Sequence, residues 1–340
     1  MRKLILKNFQ SPGDIVMLTA AVRDLHRRYP NEFATDVRTS APQLWEHNPH
    51  LTRLAEHEAR AVDCQYPLIH RSNQLPYHFI HGFIQNLNEQ LKLDVQPTLF
   101  KGDIHLTVQE KAWISQVQEL TVEPVPFWIV NAGGKFDFTI KWWDPRRYQQ
   151  VVDHFRGKVL FVQVGENKHH HPPLEGVLDL RGKTDLRQLV RLTHHAQGVV
   201  GPVSLLMHLA AAVETRPGLP RNRAAVIVAG GREPPHWEAY PHHQFLHTMG
   251  QLRCCEDGGC WRSRTVPLRD SDGKDHPNQL CLDVVGGLPR CMDLISASQV
   301  IAAVEGYFAA GALGYLTPAQ RAIVERLLPR AAQRLPRPAA

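Results

Sequence analysis

Gly198-Val199-Val200-Gly201-Pro202-Val203-Ser204-Leu205-Leu206-Met207-His208-Leu209-Ala210-Ala211-Ala212-Val213 decides the fold class. An apolar strand over 198–201 enters a turn at Gly201–Ser204. The helix that follows, 204–213, carries Leu206, Leu209, Ala210 and Val213 on one face. Strand, glycine turn and amphipathic helix are the repeating unit of a parallel α/β sheet. The turn also exposes backbone amides at a helix N-terminus, where an anion binds well.

The unit repeats in both directions from this stretch. Upstream, 127–131 is rich in strand formers, and the turn Gly133-Gly134 follows it. Asp144 and Pro145 then cap and open a helix to about 154. Strands are expected at 159–164 and 176–181, with a helix from 185. Downstream, 224–229 is a buried strand, and 296–308 is a helix with Val300, Ile301, Val304 and Phe308 aligned. The first part of the chain shows the same grammar. A strand at 3–9 meets the turn Ser11-Pro12-Gly13-Asp14, and a helix runs to about 29 with Leu18, Ala21, Val22 and Leu25 on its face. A strand at 34–38, a short helix from 42, and helices at 77–91 and 108–120 complete it. The proline-punctuated segment 122–126 is the candidate boundary. The expectation is an α/β protein of two Rossmann-like domains, 1–122 and 127–310, facing a cleft. A C-terminal helix at 318–328 and a basic tail fill 311–340.

Composition agrees with a globular protein: of 340 residues, 43% are hydrophobic and 21% charged. No apolar run approaches the ~18 residues of a membrane span. The N-terminus MRKLILKNFQ lacks the roughly 7–15 apolar residues of a secretory signal. A cytoplasmic protein is therefore expected, with a peripheral place at the inner membrane as the variant. A net charge of +6 favours anionic partners, and no block of like charges marks a nucleic-acid tail. A phosphate-bearing small molecule or a lipid head group fits best.

Three glycine turns could carry the chemistry. Asp14 stands at the mouth of the first domain and reads either as a general base or as a helix-capping aspartate. Lys141, just ahead of Trp142-Trp143, suits a phosphate as a point charge and equally suits solvent. At the third turn the Ser204 hydroxyl and nearby amides would face a pyrophosphate. His208, one turn in, lines that site or is a core histidine. A sugar hydrolase wants two carboxylates, and only Asp14 is well placed.

Cysteine usage is uneven. Cys64 is isolated, whereas Cys254, Cys255, Cys260, Cys281 and Cys291 lie close together in the chain. Without a secretory signal, a metal site explains them better than disulfides. Four thiolates make a closed tetrahedral site for zinc or iron, structural rather than catalytic, in a knuckle over 250–292. Cys255, Cys260, Cys281 and Cys291 are the expected ligands, with Cys254 competing for the place of Cys255.

Ser-Pro-Gly-Asp-Ile at 11–15, Lys141-Trp142 before a helix, and Met207-His208-Leu209-Ala210-Ala211-Ala212 after a short strand occur in that order. Together they resemble glycosyltransferase family 9, the ADP-heptose:lipopolysaccharide heptosyltransferases of GT-B fold, over roughly 1–30 and 127–310. The resemblance implies an inverting transfer of a heptose from ADP-heptose, bound by the second domain (127–310), to a hydroxyl of lipopolysaccharide core or of protein on the side of the first (1–122). Asp14 would be the base, beside Gly13. Lys141, Ser204 and the backbone of Leu205 and Leu206 would hold the donor diphosphate, His208 would brace them, and Glu166 would face the nucleoside. No catalytic divalent ion is implied. One departure stands out: the family's Asp-Ser-Gly ahead of the histidine reads Val203-Ser204-Leu205 here. The cysteine cluster is similar to the iron-carrying insertion of bacterial autotransporter heptosyltransferases, which act on protein acceptors, and a homo-oligomer is a further expectation. The competing reading is a non-enzymatic nucleic-acid-binding protein that uses the cysteine knuckle and Trp261-Arg262-Ser263-Arg264.

Overall fold

The computed structural model describes residues 1–334; the end of the expected tail, 335–340, lies outside the described residues. The chain opens with strand β1 (Arg2–Asn8), whose Leu4, Ile5 and Leu6 are buried. Helix α1 (Pro12–Arg28) starts on a proline, with Asp14 in its first turn and His26, Arg27 and Arg28 in its last. This charge order suits the helix dipole. The apolar spacing anticipates one buried face, yet every residue from Ile15 to Leu25 is buried. Even Arg23 and Asp24 are enclosed. Arg23 bonds both Asp24 oxygens at 2.9 Å and donates to the carbonyls of Lys101 and Leu99, so neither charge is stranded.

Strands β2 (Phe33–Thr39) and β3 (Arg60–Asp63) flank β1 in a parallel sheet of order β2-β1-β3. Nothing in the short polar run of β3 announces a strand. Helix α2 (Ile80–Leu91) lies against α1 and against the loop that carries Tyr66. The helix expected over 108–120 is two: α3 (Val108–Ala112) and α4 (Gln116–Thr121). Thr107 and Ser115 each accept a hydrogen bond from an amide of the turn they precede, so a second cap lies inside the expected helix.

The second half holds β4 (Phe127–Val130), α5 (Pro145–His154), β5 (Leu160–Gln163), β6 (Leu178–Asp179), α6 (Leu186–His195), β7 (Gly198–Pro202), α7 (Leu205–Ala212), β8 (Ala224–Gly230), α8 (Pro235–Glu238) and β9 (Gln244–His247). Its six parallel strands run β6-β5-β4-β7-β8-β9, the doubly wound order. The order reverses between β4 and β7, and in sheets of this kind the carboxyl ends of the two strands at the reversal are where ligands bind. At the opposite, amino end of β7, Gly198 lets the strand lie beside β4, since a methyl on it would stand 2.6 Å from the Trp128 ring.

A long insertion with the small hairpin β10 (Val284–Val285) and β11 (Leu288–Pro289) precedes α9 (Arg290–Asp293), α10 (Ala297–Ala309) and α11 (Pro318–Arg334). The insertion has a polar centre. Fully buried Arg264 pairs with Asp270 at 2.8 Å and Asp275 at 2.5 Å, and approaches Asp272 at 3.6 Å. Helix α11 returns under the boundary segment, where Gln320 donates to the Pro124 carbonyl at 3.3 Å.

The halves are joined at both flanks. On one, the Phe79 amide donates to the Trp237 carbonyl at 2.8 Å, and His236 Nε2 lies 2.6 Å from the Ser72 carbonyl. Asn73 bonds both Gly259 and Trp261 there. On the other flank, Arg187 binds Glu110 through both carboxyl oxygens at 2.7 Å.

Gly82 of α2 makes the approach to Tyr66 possible, because a methyl there would stand 2.5 Å from Tyr66 Cβ. Gly82→Ala is expected to destabilise the protein by about 1–3 kcal/mol through overpacking, read from denaturant unfolding.

Candidate active site

The first turn of α1 meets the first turn of α7. Gly13 allows it: a methyl at that position would lie 3.0 Å from His208 Cδ2 and 3.8 Å from Leu205 Cα. Asp14 therefore stands beside the exposed amides that open α7. Ser204, the N-cap of α7, is extended and leaves that end uncapped by its own side chain. Its hydroxyl accepts from Asn131 Nδ2 at 3.3 Å, a bond that joins the ends of β4 and β7 at the sheet's reversal point. Lys135 crosses between the halves to bond Ser11 Oγ at 3.0 Å.

Asp14 is partly buried, and Tyr66 donates its hydroxyl to Oδ1 at 2.8 Å. Burial raises the carboxyl above its ordinary range. The Tyr66 hydrogen bond and the charges of Lys141 and Lys135 pull it part of the way back. The result is a carboxylate more basic than an exposed one, as a general base requires.

His208 is buried. Its Nδ1 lies 2.8 Å from the Tyr240 hydroxyl, which also reaches Met17 Sδ at 3.5 Å on the other half. Burial drives His208 down to about 3, so the ring is neutral and braces α7 against α1. Lys141 is only partly exposed and its Nζ sits 2.6 Å from Glu233 Oε1, which Arg232 also binds. Burial pushes Glu233 up, but the Arg232 and Lys141 charges outweigh it and keep the carboxylate ionised. Glu238 lies 3.6 Å from His208 Nε2. Burial, and then the nearby Glu233 charge, lift it well above the carboxylate range. Glu166 is exposed on the loop after β5, 3.5 Å from His169.

The structure thus gathers Gly13, Asp14, Lys141, Ser204, Leu205, Leu206 and His208, and leaves Glu166 at the rim. Sequence reading missed Tyr66, Glu233, Glu238 and Tyr240. Tyr66 has no local signal. Glu233 sits in the turn Gly230-Gly231-Arg232-Glu233 after β8, the strand-and-glycine pattern that flagged the other three turns.

The expected metal ligands do not form a closed set in the structure. Among the described residues no three cysteine sulfurs lie within 4.8 Å of one another; the triad that does meet that spacing is Glu46, His47 and Glu110. Glu110 there is already held by Arg187, as above. All six cysteines are free. Of the expected ligands Cys255, Cys260, Cys281 and Cys291, the first turns its sulfur to the Thr248 carbonyl at 3.5 Å. Cys254, Cys255, Cys260, Cys281 and Cys291 share one neighbourhood, and burial and then mutual repulsion raise the thiols of Cys254, Cys260, Cys281 and Cys291. What visibly holds the insertion is the Arg264–aspartate cluster. That cluster also uses up one arginine of Trp261-Arg262-Ser263-Arg264, and Arg262 is spent on the carbonyls of Pro277, Asn278 and Leu280. Both arginines of the nucleic-acid reading are thus engaged within the insertion.

Residues 77–217 match the family model of glycosyltransferase family 9 (heptosyltransferase). That span includes 77–126, where the sequence motifs had no counterpart. No curated protein matches the chain. Among solved structures, a glycosyltransferase family 9 protein from Veillonella parvula is similar at 14% identity and a TM-score of 0.60, over 91% of this chain and 98% of that one. ADP-heptose lipopolysaccharide heptosyltransferase II of Escherichia coli gives 16% and 0.58, over 92% and 100%. TibC, a dodecameric iron-containing heptosyltransferase of enterotoxigenic E. coli solved with ADP-D-β-D-heptose, gives 15% and 0.59, over 91% and 76%. The family match over 77–217 and the fold shared with these structures both agree with the resemblance drawn from the motifs. No helix among the described residues is long and apolar enough to cross a membrane.

Tyr66→Phe removes a hydrogen bond that favours the ionised carboxyl, so Asp14 should titrate at a higher pH in the variant than in the wild type. A carbon NMR titration of the Asp14 carboxyl reads the shift; an equal or lower value contradicts this account of the site.

Proposed function

We propose that the chain is a glycosyltransferase that moves a sugar, a heptose by likeness to its family, from a nucleoside diphosphate donor to an acceptor hydroxyl. The observation that carries the reading is the meeting of a raised carboxyl, Asp14, with the open N-terminus of α7 and with Lys135 and Lys141. The uncapped amides of Leu205 and Leu206, the Ser204 hydroxyl and Lys141 would hold the diphosphate. Glu233 holds Lys141 before the donor arrives, and a bound phosphate competes for the same ammonium group.

Asp14 takes the proton from the acceptor hydroxyl as its oxygen attacks the anomeric carbon. The bond from that carbon to the diphosphate oxygen breaks, and the electron pair leaves with the nucleoside diphosphate. Attack opposite the leaving group inverts the anomeric centre. Lysine charge and helix amides stabilise the negative charge that builds on the leaving group, which is where much of the acceleration arises. Tyr66 orients the base, and neutral His208 keeps α7 in register with α1. Glu166, at the rim, would meet the nucleoside.

The cysteines are proposed to hold a structural iron or zinc ion, because their donor chemistry suits a thiophilic metal. Such an ion would brace the insertion and take no part in the transfer. Elemental analysis should find about one equivalent per chain, lost in Cys281→Ser. A metal-free wild type removes this part of the reading.

Asp14→Asn should lower transfer from ADP-heptose by a factor on the order of 10² to 10⁴. It should leave the stabilisation by ADP, read as a thermal shift, unchanged. Transfer at the wild-type rate in this variant rejects Asp14 as the base. A wild type that ADP does not stabilise rejects the donor site.

A further inference from the structure

We propose that Arg232 is a positioning residue for donor binding: it keeps Glu233 paired when Lys141 turns from that carboxylate to the diphosphate. This rests on the transfer reading above and deepens its donor site. Lys141 and Arg232 both bind Oε1 of Glu233, whereas Oε2 has no hydrogen-bond partner among the described residues. The Glu233 side chain is only 4% exposed. Two cations thus share one oxygen of a buried carboxylate, which cannot be left without both.

The two cations are anchored very differently. Lys141 Nζ has no second ion-pair or hydrogen-bond partner among the described residues; it lies 5.6 Å from the centre of the Phe138 ring, and its side chain is 22% exposed. Arg232 instead donates Nε to the Arg262 carbonyl at 2.7 Å. Its guanidinium lies over the Phe138 and Trp261 rings, 4.9 and 5.4 Å from their centres, and its own carbonyl accepts from the Trp261 amide at 3.1 Å. Lys141 is free to leave, and Arg232 is not.

The energetics of the exchange follow. Without Arg232, a departing Lys141 strands a buried negative charge, so Glu233 holds the lysine back from phosphate. With Arg232 fixed, Glu233 stays paired, and a planar guanidinium suits both carboxyl oxygens. The lysine then trades one charged contact for another.

The stretch Trp261-Arg262-Ser263-Arg264-Thr265 supplies the frame for this exchange. Trp261 and Arg262 hold Arg232, as above. Ser263 and Thr265 hold the turn that leads into Lys141: the Ile140 amide donates to the Ser263 carbonyl at 3.3 Å, and the Thr265 amide to Thr139 Oγ1 at 2.9 Å. Both sides of the Lys141–Glu233 pair therefore hang from one segment of the insertion, which Arg264 fixes to Asp270 and Asp275.

Titration calorimetry with ADP on the full chain tests the role. Arg232→Gln should raise the Kd for ADP by about tenfold, because Glu233 then keeps Lys141. Adding Glu233→Gln to that variant should return the Kd to within about threefold of wild type, since no carboxylate is left to strand. Glu233→Gln alone should bind ADP at least as tightly as wild type. An unchanged Kd in Arg232→Gln overturns the inference. So does a double variant as weak as the single one, which would mark Arg232 as a direct phosphate contact or a requirement of the fold. Should Arg232→Gln fail to fold, Glu233→Gln alone decides, and weaker ADP binding there overturns the role. If wild type binds ADP while these outcomes fail, only the role of Arg232 falls. A wild type that does not bind ADP removes the donor site and this inference together.

Discussion

The close approach of α1 to α7 is the constraint on which the rest depends. Two helix N-termini, one from each half, are brought to touching distance because residue 13 has no side chain to obstruct His208. The contact is fixed behind by a line of groups: His208, then the Tyr240 hydroxyl, then Met17 of α1. It places a carboxyl from the first half beside the unfilled amides of the second without any flexible segment between them. The sheet reversal between β4 and β7 supplies the floor, and Asn131 ties that floor to Ser204.

The electrostatics around this contact follow from burial more than from net charge. Three carboxyls lie close together and their surroundings separate them. Glu233 is anchored by Lys141 and Arg232 and stays ionised. Glu238, with no cation of its own, is pushed toward the neutral form. Asp14 is intermediate, raised by burial and restrained by a hydroxyl and two lysines. Neighbouring acids with their titration ranges pushed apart are the usual mark of a site with assigned proton roles. The overall +6 of the chain predicts none of this, because the charges that matter are paired within the site.

Much of the fold was legible because its signals are local. The strand–glycine–helix units at 127–154 and 198–213 are written in consecutive residues, and they appear where their patterns put them. Asp14, Lys141, Ser204 and His208 could be picked out for the same reason, since each stands at a turn. Strand β3 was invisible because Arg60-Ala61-Val62-Asp63 gains its strand character only from pairing with β1. Tyr66 was invisible because its partner Asp14 is 52 residues away and its place depends on Gly82 of yet another helix. The segment 108–120 misled because its apolar rhythm runs through two capped turns. The cysteines were legible as a group, but spacing alone carries no information on which way Cys255 turns its sulfur.

Joining the halves at both flanks has a consequence for how small molecules come and go. The backbone bond from Phe79 to Trp237 and the Arg187–Glu110 fork tie the halves in addition to the α1–α7 crossing, so they work like two clasps on one spine. A wide, jaw-like swing would have to undo both at once. Traffic through this protein is thus expected to run along shallow troughs at its edge, with side chains such as Lys141 stepping aside one at a time.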